Sequence, residues 1–236
     1  MPTDKPRECR ARVDSVRPLA LEAVEATLLM EDPPELSFAA GQWISVPFGP
    51  KTVRAYSIAS APSARRVIAL AADVAPGGLG SRWFRALRPG DEVQFKGPLG
   101  GFVLPPSETR EVLFVAEEIG IVPIRSILLD LSEAGVSRGA RLAYWARGPH
   151  GLVYGEELRA LAHGHPWFAC HLLVGASERD WTGPVGTLED LVDRLTPSVE
   201  NLVVYVAGGE GTIHRVRDLL VAKGLQRKAV KWEKFW

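Results

Sequence analysis

Three short stretches carry side chains suited to holding an anion beside a planar ligand. In Arg54-Ala55-Tyr56-Ser57 a guanidinium, a phenol ring and a hydroxyl fall within four residues. Side chains alternate along a strand, so Arg54 and Tyr56 share one face, while Ser57 points the other way unless the strand twists or bends at its end. A guanidinium suits a diphosphate, an aromatic face suits a planar ring system, and a hydroxyl suits a ring nitrogen. On spacing alone, an edge strand with an exposed Arg packed on a Tyr explains the pattern as well. In Gly77-Gly78-Leu79-Gly80-Ser81, small residues leave backbone N–H groups open to phosphate oxygens, and an ordinary tight turn is the competing explanation. The sequence ends Glu233-Lys234-Phe235-Trp236, an acid and two aromatics that fit either a shield over a ligand or a latch onto the core.

These residues must be positioned by two kinds of structure. Up to about residue 104 the sequence reads as short alternating strands, over Cys9 to Val16, Leu21 to Met30, Trp43 to Val46, Arg54 to Ile58, Val67 to Ala71 and Glu92 to Phe95. Pro33-Pro34, Gly41, Pro47 to Pro50, Pro76-Gly77-Gly78, Pro89-Gly90 and Gly97-Pro98 punctuate them. That grammar predicts a closed antiparallel barrel with one short helix from about Ser81 to Leu87. After Pro105 to Thr109 it changes. Val112 to Ala116, Leu142 to Ala146, Cys170 to Val174 and Leu202 to Val206 are continuous apolar strands, alternating with helices expected over Ile124 to Ala134, Gly155 to Ala162, Thr187 to Leu195 and Thr212 to Lys223. Strand-helix alternation predicts a doubly wound parallel sheet whose ligand crevice lies at the carboxyl ends of the strands. The expectation is an α/β protein of two domains, residues 1–106 and 107–236, with a cleft between them suited to two cofactors.

Composition narrows the function classes. Lys plus Arg number 28 and Asp plus Glu 28, so no charge excess points to nucleic acid or an anionic membrane. Cys9 and Cys170 are the only cysteines, so a four-cysteine iron–sulfur cluster cannot be held by this sequence and a disulfide framework is not expected. No signal-like apolar core and no run of about 18 apolar residues is visible, which makes a soluble cytoplasmic protein without membrane insertion the expectation. His163-Gly164-His165 is an incomplete metal-ligand set and reads as a solvated loop, so no metal is expected. Trp145, Trp167 and Trp181 read as packing, and Cys170 as buried filler.

Taken together, the motifs resemble the ferredoxin–NADP reductase superfamily over roughly residue 8 to Trp236. Pro33 to Phe38 leading to Gly41-Gln42 is similar to the approach to that family's third barrel strand, and Gly97-Pro98-Leu99-Gly100-Gly101-Phe102 to its domain-closing turn. The resemblance implies an FR-type FAD-binding six-stranded antiparallel β-barrel followed by a pyridine-nucleotide-binding α/β domain. It implies that Arg54 pairs with the flavin diphosphate, that Tyr56 stacks on the isoalloxazine, that Ser57 bonds near its reactive nitrogen, and that Ile58 continues the binding strand. It further implies that Gly77, Gly78, Leu79, Gly80 and Ser81 form the pyrophosphate loop, with Ser81 able to cap the helix that follows. Phe235, with Trp236 as a second candidate, would shield the flavin face that the nicotinamide approaches, with Glu233 close by. FAD is favoured over FMN because a helix able to hold a diphosphate follows the loop directly.

The nucleotide half departs from the family pattern. The turn after its first strand reads Ala116-Glu117-Glu118-Ile119-Gly120-Ile121-Val122-Pro123-Ile124-Arg125-Ser126. Gly120, Ile121, Pro123 and Ser126 keep the frame, but Glu117-Glu118 replaces the usual small pair and Ile119 the usual Thr. Carboxylates facing a pyrophosphate within about 4 Å would each cost several kcal/mol at an effective dielectric of roughly 20. That cost falls if Glu117 and Glu118 turn outward or pair with Arg125 or Arg147. Losing the Thr hydroxyl removes a hydrogen bond worth about 1 kcal/mol. Ala207-Gly208-Gly209 stands where the family commonly has Cys-Gly-Pro; Gly208 preserves the turn, and Gly209 through Thr212 can begin a helix at an anion site, with an ordinary strand-to-helix turn explaining the pattern as well. Arg147 matches a residue that can contact the nucleotide, whereas Ser177-Glu178-Arg179 gives no clear 2′-phosphate pair.

Three functions are therefore carried forward. NAD(P)H gives electrons to the flavin, which passes them singly to an iron–sulfur or haem protein acceptor, such as a ferredoxin or a Rieske oxygenase, with Tyr56, Ser57, Glu233 and Phe235 at the reacting centre. Alternatively, the protein is a flavin relay that has lost pyridine-nucleotide use and takes electrons from a protein donor, or it is a non-catalytic flavin-binding regulatory module. The sequence leaves open the acceptor, the choice of NAD or NADP, the direction of flow and the oligomeric state.

Overall fold

The computed structural model describes residues 4–135, 138–178 and 180–235. The described residues fall into two compact units, the first within Met1–Leu104 and Arg125–Ala134, the second within Pro105–Ile124 and Gly135–Trp236.

The first unit is a six-stranded antiparallel sheet made of β1 (Arg7–Ala20), β2 (Ala23–Asp32), β3 (Trp43–Pro47), β4 (Val53–Ser57), β5 (Val67–Asp73) and β6 (Glu92–Leu99). The order is β4-β3-β6-β1-β2-β5. A bridge between Ile58 and Leu70, with the Ala59 N–H donating to the Ala69 carbonyl at 2.7 Å, joins the end of β4 to β5 and closes the barrel. Alternation does the sorting: Cys9, Ala11 and Val13 on β1, Leu28 and Met30 on β2 and Val93 and Phe95 on β6 all face one core, with Arg10, Arg12 and Glu92 outside. Helix α1 (Leu79–Ala86) packs Phe84 into that core and lays Trp83 against it. It starts earlier than the predicted Ser81. Gly78 is the N-cap and no side chain caps the helix, so Ser81 lies inside the first turn, buried, and the capping role expected of it is corrected.

Gly41 shows why a glycine is needed in the approach to β3. Its φ is +92°, and a Cβ there would lie 2.0 Å from the Phe102 carbonyl oxygen. The two segments matched by resemblance, Gly41-Gln42 and Gly97 to Phe102, therefore meet directly.

The second unit is a five-stranded parallel sheet of β7 (Glu111–Glu117), β8 (Ala140–Ala146), β9 (Phe168–Val174), β10 (Leu202–Gly208) and β11 (Val230–Lys234), ordered β11-β10-β7-β8-β9. All seven residues of β10 are buried, as a strand covered on both faces requires. Helices α3 (Gly155–Gly164), α4 (Leu188–Leu195) and α5 (Glu210–Ala222) follow β8, β9 and β10. Thr187 caps α4, its hydroxyl oxygen accepting from the Asp190 N–H at 3.2 Å. A 3-10 turn over Glu118–Gly120 leads from β7 into α2 (Ile121–Glu133), which begins three residues before the predicted Ile124. Strand β11 was not foreseen: Val-Lys-Trp-Glu-Lys has too little apolar character to announce a strand, and it is held by its parallel register with β10. No helix among the described residues is long and apolar enough to cross a membrane.

Candidate functional site

In the first unit the two motif segments come together. Arg54 is exposed on β4, while Tyr56 and Ser57 are buried. A Cβ on Gly80 would stand 2.5 Å from the Tyr56 hydroxyl and 3.7 Å from Arg54 Cγ, so the glycine loop lies directly over the Arg54 and Tyr56 face of the strand. The Tyr56 ring packs against Trp83 at 5.4 Å and Phe84 at 5.0 Å, leaving it 8% exposed. Spacing along α1 explains this: Gly80, Trp83 and Phe84 fall at i, i+3 and i+4 on one helix face. Trp83 and Phe84 were not singled out from the sequence, although their helical spacing from Gly80 was visible.

The Tyr56 hydroxyl is buried and has no hydrogen-bond partner among the described residues. Burial, outweighing the pull of Arg54 in the other direction, pushes it up to about 12. A buried unpaired hydroxyl is a costly arrangement that a ligand atom would relieve. The neighbouring donors suit an anion: the exposed Arg54 guanidinium, and the first N–H groups of α1, which no side chain caps. Gly77 and Gly78 are exposed in the same loop, and Leu79 is 43% exposed. Ile58 is fully buried in the barrel closure, so its backbone is what it offers a ligand. These residues fit a flavin carrying a diphosphate, although Trp83 and Phe84 already cover much of the Tyr56 ring that the resemblance assigns to stacking. Two further bonds brace the strand beyond Ser57, with Arg125 donating to the Ala59 carbonyl at 2.6 Å and the Ser126 hydroxyl to the Ser60 carbonyl at 2.7 Å.

In the second unit, the carboxyl ends of β7 and β10 are adjacent. The chain leaves β7 toward β8 and β9 and returns to β10 on the other side, so the topological switch point of the sheet lies between these two ends. Gly120 sits against it: a Cβ would fall 2.3 Å from the Ala207 carbonyl oxygen and 2.7 Å from its carbon. Ile121 and Pro123 are buried in the first turn of α2. Beside the switch point, Glu233 pairs in register with Ala207, and the Phe235 N–H donates to the Gly208 carbonyl at 2.9 Å. The fold thus brings Gly120, Gly208, Glu233 and Phe235 around one strand end. Trp236 and Arg179 lie outside the described residues.

Glu117 and Glu118 do something the sequence did not disclose. Glu117 accepts from the Gly209 N–H at 2.8 Å, and Glu118 accepts from the Arg147 backbone N–H at 2.7 Å. This bond joins Glu118 to Arg147, one of the two arginines weighed as partners, through its backbone N–H. Below Glu118, Tyr144 is fully buried with its hydroxyl donating to the Gly151 carbonyl at 2.9 Å; burial first, then Glu118, hold its ionisation well above the ordinary range.

Burial pushes Cys9 up to about 11 and Cys170 to about 12, which keeps both as thiols at neutral pH. Trp145 donates to the Gly186 carbonyl at 3.0 Å and Trp181 to that of Pro184 at 3.2 Å. His165 packs edge-on against Trp167, and no cluster of metal-ligating side chains occurs among the described residues.

Residues 21–104 match the family model described as the oxidoreductase FAD-binding domain. Over 235 residues, 95% of this chain and 96% of the relative, the sequence is 31% identical to ferredoxin–NADP reductase B of Sorangium cellulosum. It is 26% identical to the reductase component of propane 2-monooxygenase from Rhodococcus jostii over 97% of this chain, but spans only 64% of that protein's length. Among solved structures, an Amycolatopsis cytochrome P450 reductase superposes with a TM-score of 0.88 at 24% identity, over 98% of this chain and 70% of its own. That likeness shows the same fold, an antiparallel barrel followed by a doubly wound parallel sheet.

Proposed function

The chain belongs to the ferredoxin–NADP reductase family, and on that premise we propose that it is an FAD-dependent electron-transfer oxidoreductase working between NAD(P)H and a one-electron protein acceptor carrying an iron–sulfur centre or haem. The observation that carries this reading is the buried, unpartnered Tyr56 hydroxyl lying beneath Gly80 and beside Arg54. Bound FAD supplies the conversion between two-electron and one-electron transfer.

The protein's own residues bind and orient. Arg54 neutralises diphosphate charge, assisted by the N–H groups at the start of α1 from Gly78 to Gly80. Tyr56 offers its hydroxyl and the exposed part of its ring, and Ser57 places a second hydroxyl at the end of the strand. In this reading residues 1–106 are the flavin domain and 107–236 the nucleotide domain. Gly120, Ile121 and Pro123 shape the turn at the switch point, Gly208 the turn opposite, and Arg147 one flank. Phe235 guards the approach of the nicotinamide, with Glu233 beside it.

A second reading, a flavin relay fed by a protein donor, is favoured by one observation. Glu117 already occupies the N–H donor at the start of α5. Anaerobic stopped-flow mixing of the FAD-loaded protein with NADH and, separately, NADPH tests both. Rapid bleaching of the flavin's visible band by either nucleotide is the expected result. A flavin that only dithionite reduces would overturn pyridine-nucleotide use and leave the relay and the non-catalytic module, which reduction by a low-potential protein donor then separates.

A further inference from the structure

The switch point of a doubly wound sheet is where such folds receive anionic ligands, because free N–H groups converge there at strand ends and helix starts. In this chain two of those donors, the N–H groups of Gly209 and Arg147, are taken by its own carboxylates. Gly209 is the N-cap of the 13-residue α5 and has no side chain to cap it; its N–H is held by Glu117 across the gap between β7 and β10. On the other side of β7, Glu118 holds the Arg147 N–H just beyond the end of β8. Both carboxylates fill volume left by glycines. A Cβ on Gly208 would stand 2.8 Å from Glu117 Cβ and 2.9 Å from its Oε2, and a Cβ on Gly151 would stand 2.2 Å from Glu118 Oε2. Glu118 reaches this position with φ +49°, a left-handed conformation that glycine adopts freely and glutamate does not. Two acidic side chains, two glycines that make room for them and one strained backbone thus serve a single arrangement.

We propose that Glu117 and Glu118 form a carboxylate plug in the pyridine-nucleotide site and set its affinity for NAD(P)H. The proposal rests on the reading of the second unit as a nucleotide domain. A dinucleotide pyrophosphate and the Glu117 carboxylate are both anions seeking the same N–H. They exclude each other at contact distance, so binding requires the carboxylate to leave the start of α5 and give up a charge-assisted hydrogen bond. Glu118 adds a second negative charge and fills the space beside Gly151. The plug biases the protein toward discrimination against nucleotides without any change to the flavin unit.

The test is titration calorimetry of the oxidised, FAD-loaded protein with NAD+ and with NADP+, which bind without reducing the flavin. It compares wild type with the double variant Glu117→Gly, Glu118→Gly and with Glu117→Gln, which keeps the shape and removes the charge. The double variant is expected to bind at least one of the two nucleotides ~10-fold or more tightly, and Glu117→Gln by an intermediate factor. Binding within about twofold of wild type in both variants overturns the plug; should the double variant fail to load flavin, Glu117→Gln decides alone. Bleaching by NADH or NADPH separates this from the function proposed above. Wild type bleached with affinities unchanged in the variants leaves the function standing and removes the plug. Bleaching confined to the variants supports the plug and removes pyridine nucleotide as the natural donor. No binding and no bleaching in any of them removes both.

Discussion

Tyr56→Phe is expected to push stability and flavin binding in opposite directions. The substitution deletes one oxygen and leaves the ring, so the contacts with Trp83 and Phe84 at 5.4 and 5.0 Å survive. Because that oxygen is buried and unpartnered among the described residues, the apoprotein bears the desolvation of a hydroxyl without a compensating bond, about 1–3 kcal/mol. Against this, losing the oxygen's packing beneath Gly80 forfeits a few contacts of about 0.1–0.2 kcal/mol each. The net expectation is an apoprotein more stable by about 1 kcal/mol, or roughly 2–4 °C in Tm for a chain of this size. Flavin affinity should move the other way. If the hydroxyl finds its partner on the cofactor, its loss removes about 1 kcal/mol, near fivefold in Kd. Chemical denaturation of the apoprotein and fluorescence titration with FAD measure the two separately. An apo Tyr56→Phe protein less stable than wild type would mean that the hydroxyl is satisfied without cofactor, and the argument from the orphaned atom would collapse. An unchanged Kd for FAD would mean that the hydroxyl does not face the flavin.

Gly120→Ala should destabilise the second unit by up to about 3 kcal/mol, since the new Cβ would meet backbone atoms of Ala207 that no rotamer change can move aside. Gly101→Ala, whose Cβ meets nothing within 4 Å, should stay within about 0.5 kcal/mol of wild type, and equal denaturation midpoints for the two would refute the packing argument. Glu108 is bound by Arg110 at 2.5 Å, and that hydrogen bond holds its carboxyl down at about 2 against an ordinary 4.5. A folded value below the unfolded one contributes stability above pH 4.5 that is lost as pH falls toward 2, so wild type should exceed Glu108→Gln in denaturation midpoint at neutral pH and converge with it near pH 2. Parallel curves across that window would show that the pair contributes nothing.

Local pattern was enough for the architecture. Period-two alternation in the first hundred residues and continuous apolar runs separated by helical segments afterwards are chemical properties of neighbouring residues, and they yield the barrel and the parallel sheet directly. Arg54, Tyr56 and the glycine loop were legible as a ligand-binding group for the same reason, since type and spacing carry the signal. Strand β11 was not legible, because a five-residue edge strand of mostly charged residues is defined by its partner β10 and not by its own composition. Nor was the fate of the unusual glutamates. Their charge and bulk announced a conflict with phosphate, but the bond between Glu117 and Gly209 spans 92 positions, and which donor a carboxylate finds across such a separation depends on how the sheet is ordered. The same holds for Tyr56: its ring belongs to the strand pattern, while the burial that leaves its hydroxyl without a partner comes from α1 folding back over it. Residue chemistry nominates the participants because it is local; pairing and desolvation are properties of contact, and contact between distant segments exists only once the chain has folded.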